Sequence, residues 1–259
     1  MIREKKMLAG LTLLMSVFLF TQADDASAMQ KSYQYGDVKM GQPGEETSAN
    51  PVTFRHWTHR DKYTCRLCHV DLEFSQYPGE TLVFEEDNRD GRYCGACHNG
   101  KEAFAIKSCD ECHPKDAAAE KFMVRQNKKD FYKFKKTMPA AVYGNKIDWM
   151  KAEDEGKIKL TDTLPGISVV QNATMKNNRD EPRQPKLPGL PDIIFSHSKH
   201  VVWSGCGMCH PDTFAIETGK TKMNMKEIVA GEFCGRCHGT VAFPLNDCLR
   251  CHSKSVSFE

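Results

Sequence analysis

Every cysteine in this chain of 259 residues stands in one five-residue frame, C-x-x-C-H, and the frame recurs six times. The units are Cys65/Cys68/His69, Cys94/Cys97/His98, Cys109/Cys112/His113, Cys206/Cys209/His210, Cys234/Cys237/His238 and Cys248/Cys251/His252. In such a frame two thiols can form thioether links to a haem, and the adjacent histidine can bind its iron from one side. A disulfide framework gives no reason for histidine to follow every second cysteine, and a zinc site does not need that adjacency. Six covalently bound haem c groups account for all twelve cysteines at once.

Two longer stretches organise the chain further. Residues 54–69 read FRHWTHRDKYTCRLCH and residues 195–210 read FSHSKHVVWSGCGMCH, so both are F-x-H-x-x-H, five residues, then C-x-x-C-H. His56, His59, His197 and His200 are therefore candidate second axial ligands. The three motifs that begin at Cys65, Cys94 and Cys109 return at Cys206, Cys234 and Cys248, offset by 141, 140 and 139 residues. CGACHNGKEAF at 94–104 is answered by CGRCHGTVAF at 234–243. Matched order and spacing point to internal duplication.

The predicted organisation follows. Residues 1–28 read as a secretory signal: Arg3, Lys5 and Lys6 precede an apolar run over 7–20, and cleavage is expected after Ala28, with Ala23 the alternative. No transmembrane candidate follows it. Residues 29–50 read as an extended polar lead-in without identifiable chemistry, 51–115 as a first three-haem unit, 116–188 as a connector and 189–259 as a second unit. So little chain separates the motifs that the macrocycles themselves are expected to form the core, covered by Phe54, Trp57, Leu72, Phe84 and Phe104. The fold class is mainly irregular, with short α-helices and a short helical turn under each motif. The connector holds no cysteine or histidine but too many large apolar groups for a bare tether, among them Phe131, Tyr132, Phe134, Ile147 and Trp149. Asn145 is a candidate cap for a short helix through Trp149 and Ala152, ended by Gly156. Lys128, Lys129, Lys133, Lys135 and Lys136 could dock an acidic partner, form a solvated face or offset haem propionates. Pro182, Pro185, Pro188 and Pro191 suggest an extended strap.

The two units resemble the three-haem domains of the cytochrome c7 family, relatives of the cytochromes c3, as found in multihaem cytochromes of metal-respiring bacteria. The resemblance rests on F-x-H-x-x-H followed by three C-x-x-C-H motifs in each unit. It implies that the first upstream histidine serves the first haem and the second serves the second haem, pairing His56 with His69, His59 with His98, His197 with His210 and His200 with His238. The histidine that this family usually places shortly before the second motif is absent, and Asp90 and Ala230 stand near that place.

Ten histidines cannot supply two imidazoles to each of six irons. By the pairing above, the haems on His113 and His252 lack a histidine. Met225, and after it Met223, in KMNMKEIVAGEFCGRCH, are the candidate sixth ligands for the haem on His252, because a thioether is an established axial choice; both could equally pack against a macrocycle. For the haem on His113 a connector methionine, Met123 or Met138, or an open position are the alternatives.

Iron with both axial positions filled by protein cannot bind substrate, yet it changes oxidation state with little rearrangement. The expected function is a hexahaem electron carrier of anaerobic respiration, periplasmic or extracellular or associated with the outer membrane. Its expected partners are other cytochromes, a porin-cytochrome conduit or a quinol-oxidising complex. It is not expected to be an enzyme; the rival readings are a reductase of a small oxyanion at an open haem on His113, and a structural subunit of a haem wire. A net charge of +2, which twelve propionates would carry to about −10, gives no support for nucleic-acid binding.

Overall fold

The computed structural model describes residues 30–41, 50–168, 181–183 and 191–254. The expected signal segment with Ala23 and Ala28, and Pro185 and Pro188 of the strap, lie outside these residues.

Regular structure is sparse and short. The lead-in supplies strand β1, Asp37–Met40, which pairs antiparallel with β2, Val52–Arg55, placing Asp37 opposite Arg55 and Met40 opposite Val52. β2 runs directly into α1, His56–Arg60. A π-helical turn at Leu67–Asp71 follows, then α2, Glu85–Arg89, and two 3-10 turns at Tyr93–Ala96 and Cys109–Glu111. In the connector lie α3, Ala117–Lys135, and α4, Trp149–Asp154. The second unit repeats the first: β3, Glu181–Arg183 at the end of the connector, pairs antiparallel with β4, Asp192–Phe195, and β4 leads through Ser196 into α5, His197–Ser204. Then come α6, Met225–Val229, α7, Gly235–His238, α8, Cys248–Cys251, and β5, His252–Lys254, which pairs with β4.

Helix α3, at 19 residues, is the longest element among the described residues, and its charge-rich sequence hides it. Asp116 starts it, its carboxylate accepting a hydrogen bond from the Ala119 N–H at 2.7 Å. Val124, Asn127, Phe131 and Phe134 recur at spacings of three and four and so fall on one inward face. The short connector helix is α4, as the sequence suggests, but its cap is Asp148, which accepts from the Lys151 N–H at 3.2 Å. Asn145 is instead buried, its amide donating to the backbone oxygens of Ser32 and Tyr35 at 2.8 and 3.0 Å. Asparagine four residues before the helix is simply too far from its first N–H groups to cap them.

The polypeptide has a core of its own in addition to the one the haems were expected to provide. It gathers Tyr33, Trp57, Phe131, Ile147, Trp149, Ala152, Ile158 and Trp203. Five of these eight come from the connector, one from the lead-in and one from each haem unit, so the connector is the clasp on which both units close. Phe131 has no exposed surface and meets the Trp57 ring edge-on at 5.4 Å. Trp57 donates its indole N–H to the buried Asn127 amide at 2.9 Å, which satisfies the polar atom its burial would otherwise strand. Among the described residues no helix is long and apolar enough to cross a membrane.

Candidate haem-binding sites

One turn of helix brings residues i, i+3 and i+4 to the same face, which is the spacing of the two cysteines and the histidine in C-x-x-C-H. The turn is closed in each of four motifs by the histidine N–H donating to the carbonyl of the first cysteine: His98 to Cys94 at 2.9 Å, His113 to Cys109 at 2.8 Å, His210 to Cys206 at 3.0 Å and His238 to Cys234 at 3.0 Å. No disulfide joins the cysteines. The second motif of each unit has glycine after its first cysteine for a steric reason. A Cβ on Gly95 would overlap the carbonyl oxygen of Asn88 at the end of α2, and one on Gly235 would overlap that of Ile228 in α6.

The imidazoles are oriented by the backbone. A carbonyl oxygen can only accept, so a ring nitrogen bonded to it must carry the proton. Nδ1 of His56 donates to Gly36 at 2.6 Å, that of His69 to Phe74 at 2.8 Å, that of His98 to Phe104 at 3.2 Å and that of His113 to Asn50 at 2.5 Å. In the second unit His200 donates to Ser196 at 2.8 Å, His210 to Phe214 at 2.6 Å, His238 to Phe243 at 3.0 Å and His252 to Pro191 at 2.9 Å. His59 Nδ1 reaches the Arg55 carbonyl at 3.2 Å. In each ring the Nε2 lone pair is left for another partner, the arrangement that fixes a metal-binding tautomer.

The rings also face each other at a telling distance. Two imidazoles on opposite sides of one iron, each with a metal–nitrogen bond of about 2.0 Å and a ring centre about 1.1 Å beyond, stand roughly 6.2 Å apart centre to centre. The His56 and His69 centroids are 6.3 Å apart, those of His59 and His98 6.3 Å, and those of His200 and His238 6.1 Å. Phe54 holds His56 and His59 at 4.9 and 4.5 Å, and Phe195 holds His197 and His200 at 4.8 and 4.4 Å. The repeat seen in the sequence is thus a repeat in space. The residues fit the haem group: thiols of the C-x-x-C-H turns would carry it, and facing imidazoles would hold its iron. A haem so held supplies a one-electron change of oxidation state with little rearrangement.

Burial sets the protonation of these groups in the polypeptide. It pushes the Cys68 and Cys237 thiols up to about 12 and Cys94 to about 11. It holds the His56 and His238 imidazoles down near 4 and lowers His59, His69 and His200 as well. The neutral imidazole is the form with a lone pair to give a metal.

The third motif of each unit differs. Cys109 and Cys248 are exposed, whereas the other ten cysteines are partly buried. Neither His113 nor His252 faces another histidine ring among the described residues; His113 is tied to Asn50, two residues before β2, and His252 to Pro191, directly before β4. Met225 is the first residue of α6 and is 46% exposed, and Met223, two residues before it, is partly buried. The first unit has Glu85 at the corresponding place, the first residue of α2. Met138 packs against the connector core, and Met123 is carried on α3.

Several working residues lie where the sequence carries no signature. The lead-in, read as chemically silent, supplies the Gly36 carbonyl that orients His56. Backbone oxygens have no side-chain mark, so Gly36, Phe74, Asn50 and Pro191 could be found only by folding the chain. Arg60 and Trp203, which meet between the units, were legible only as residues near a motif.

Comparison with known proteins bears on both units. A family model described as "Cytochrome c7 and related cytochrome c" matches residues 52–114 and 193–253. A solved c7-type three-heme cytochrome domain is 36% identical over 30% of this chain and 93% of its own, with a TM-score of 0.27. The C-terminal hexaheme fragment of GSU1996 is 24% identical over 84% of this chain and 97% of its own, with a TM-score of 0.27. The dodecaheme cytochrome c GSU1996 is 21% identical over 84% of this chain and 73% of its own, with a TM-score of 0.27. No curated protein matches. With the family's motif set present twice in sequence and twice in space, the chain belongs to the cytochrome c7 and related cytochrome c family, a multihaem c-type cytochrome of the electron-transfer kind.

Proposed function

We propose that this chain is a hexahaem relay that passes electrons between redox partners of anaerobic respiration, in the periplasm or onward toward an outer-membrane conduit. The observation that carries the reading is the set of facing histidine pairs at 6.1 to 6.3 Å, His56 with His69, His59 with His98 and His200 with His238. Iron closed on both sides by imidazole has no place for substrate, which favours electron transfer over catalysis. By the repeat, His197 and His210 form the fourth such pair. Met225, with Met223 second, serves the haem on His252.

The partner-facing surface in this reading is the outer side of α3. Lys128, Lys129, Lys133 and Lys136 are exposed there, with Lys135 at the edge, and none forms an ion pair among the described residues. A redox partner with an acidic rim would be drawn to it by long-range attraction, with a rate that falls as salt rises. The test is the intact mass and carbon monoxide reactivity of the mature protein from a host that matures c-type cytochromes. Six haems, of which at most two bind carbon monoxide when reduced, are expected. Four or more reactive haems would overturn the pairing and favour a reductase.

A further inference from the structure

Three segments that are far apart in sequence converge on one cation. Arg60, at the end of α1, is sandwiched between the indoles of Trp149 from the connector and Trp203 from the second unit, its guanidinium carbon 4.9 Å from each ring centre. One of its nitrogens, Nη1, donates across the seam to the Val241 carbonyl at 2.8 Å. Neighbouring contacts bind the same seam: Tyr35 donates to the Ala242 carbonyl at 2.6 Å, Gln76 to the Met208 carbonyl at 2.9 Å, and Tyr77 to Glu232 at 3.0 Å.

What this cluster lacks is an acceptor for its remaining donors. Arg60 Nε, Trp149 Nε1 and Trp203 Nε1 are all buried without a hydrogen-bond partner. A buried cation that forms no ion pair among the described residues, beside three stranded donors, is an expensive arrangement for a polypeptide, and it marks a place for a negatively charged acceptor. A small cleft reaches Arg60 and is lined also by Trp149, Val241, Phe243, Arg250 and Asp148, so a second guanidinium overlooks it together with the carboxylate it pairs with. Arg250 leans on the Phe243 ring at 4.8 Å and pairs with Asp148 at 3.1 Å. The haem-bearing cysteines Cys65 of the first unit and Cys237 of the second both feel the Arg60 charge, and Cys237 also feels Cys65 and Cys209. The cation therefore sits between a haem-bearing cysteine of the first unit and one of the second.

Resting on the hexahaem reading, we propose that Arg60, clamped by Trp149 and Trp203, holds a haem propionate at the seam and keeps the haems on Cys65/Cys68 and Cys234/Cys237 easier to reduce. The ligand class is a carboxylate, matched by guanidinium and indole N–H donors. A fixed positive charge disfavours ferric iron, which carries one more positive charge than ferrous, so its removal lowers the midpoint potential. A unit charge about 12 Å from a haem iron, at an effective dielectric near 20, would change the reduced-to-oxidised ratio roughly tenfold.

The experiment is a spectroelectrochemical titration of the haem-loaded protein as wild type, Arg60→Gln, Arg60→Lys and Trp203→Phe. In Arg60→Gln, one or two components are expected to lose about tenfold in reduced-to-oxidised ratio at fixed potential, a downward shift of about 59 mV for one electron, while the others hold. Arg60→Lys, which keeps the charge but not the planar fork, is expected to shift less. Trp203→Phe keeps the stacking face and removes one donor, and is expected to lower the same components by a smaller factor. A titration of Arg60→Gln that superimposes on wild type overturns the proposal, as does an equal shift of all six components, which would mean a merely structural role. If Arg60→Gln does not fold, unchanged midpoints in both Arg60→Lys and Trp203→Phe overturn it equally. The intact mass separates the two readings: fewer than six haems in wild type is a failure of the hexahaem reading, and six haems with unmoved potentials is a failure of the Arg60 assignment alone.

Discussion

Replacing Phe131 by alanine tests whether the connector is a clasp or a tether. Phe131 has no exposed surface and packs edge-on against Trp57 at 5.4 Å, which in turn leans on Phe134 at 5.6 Å. Trp57 stands between His56 and His59 on α1, so the connector core and the ligand pair share one helical turn. Removing a buried phenyl ring costs about 3–5 kcal/mol, from lost transfer free energy and the residual cavity together. That is a large part of the roughly 5–15 kcal/mol by which a domain is stable. The assay is guanidinium chloride unfolding of the haem-loaded protein, followed by the Soret band and by far-ultraviolet circular dichroism. The midpoint should fall sharply, and the Soret change that reports loss of histidine ligation in the first unit should come with it. Phe131→Leu, which refills most of the volume, should cost clearly less. A cost below about 1 kcal/mol for Phe131→Ala would refute the clasp, because only a site able to collapse or already solvated loses so little.

Other outcomes follow from single contacts. Gly235→Ala forces a Cβ onto the Ile228 carbonyl, and since backbone cannot step aside cheaply the variant should lose about 1–3 kcal/mol or mature with five haems; a wild-type midpoint and six haems would contradict the close approach. A Met223→Ala, Met225→Ala double variant should abolish one high-potential component of the reductive titration and leave the rest, and its survival would refute thioether ligation in the second unit.

What could be read from the sequence was the part written in side chains. C-x-x-C-H is a helical turn with its chemistry on one face, and the offset of the two halves predicts the repeated contacts of Phe54 and Phe195 with their histidines. The connector was harder. Phe131 and Trp149 were visible as too apolar for a tether, but the lysines between them masked the period of α3, and Asp148 rather than Asn145 turned out to be the cap of α4. The seam was not legible at all, because Arg60, Trp149 and Trp203 are 89 and 54 residues apart along the chain and only packing brings them together. The backbone oxygens that fix the imidazole tautomers leave no trace in residue type.

The most direct test of the account is the ferric near-infrared magnetic circular dichroism of the haem-loaded protein, whose bands sort low-spin haems by axial ligand. Ten histidines with six in C-x-x-C-H leave four for opposite faces. The account predicts bis-histidine intensity for four haems and a different signature for the remaining two. Intensity for three or fewer, or for all six, would contradict it.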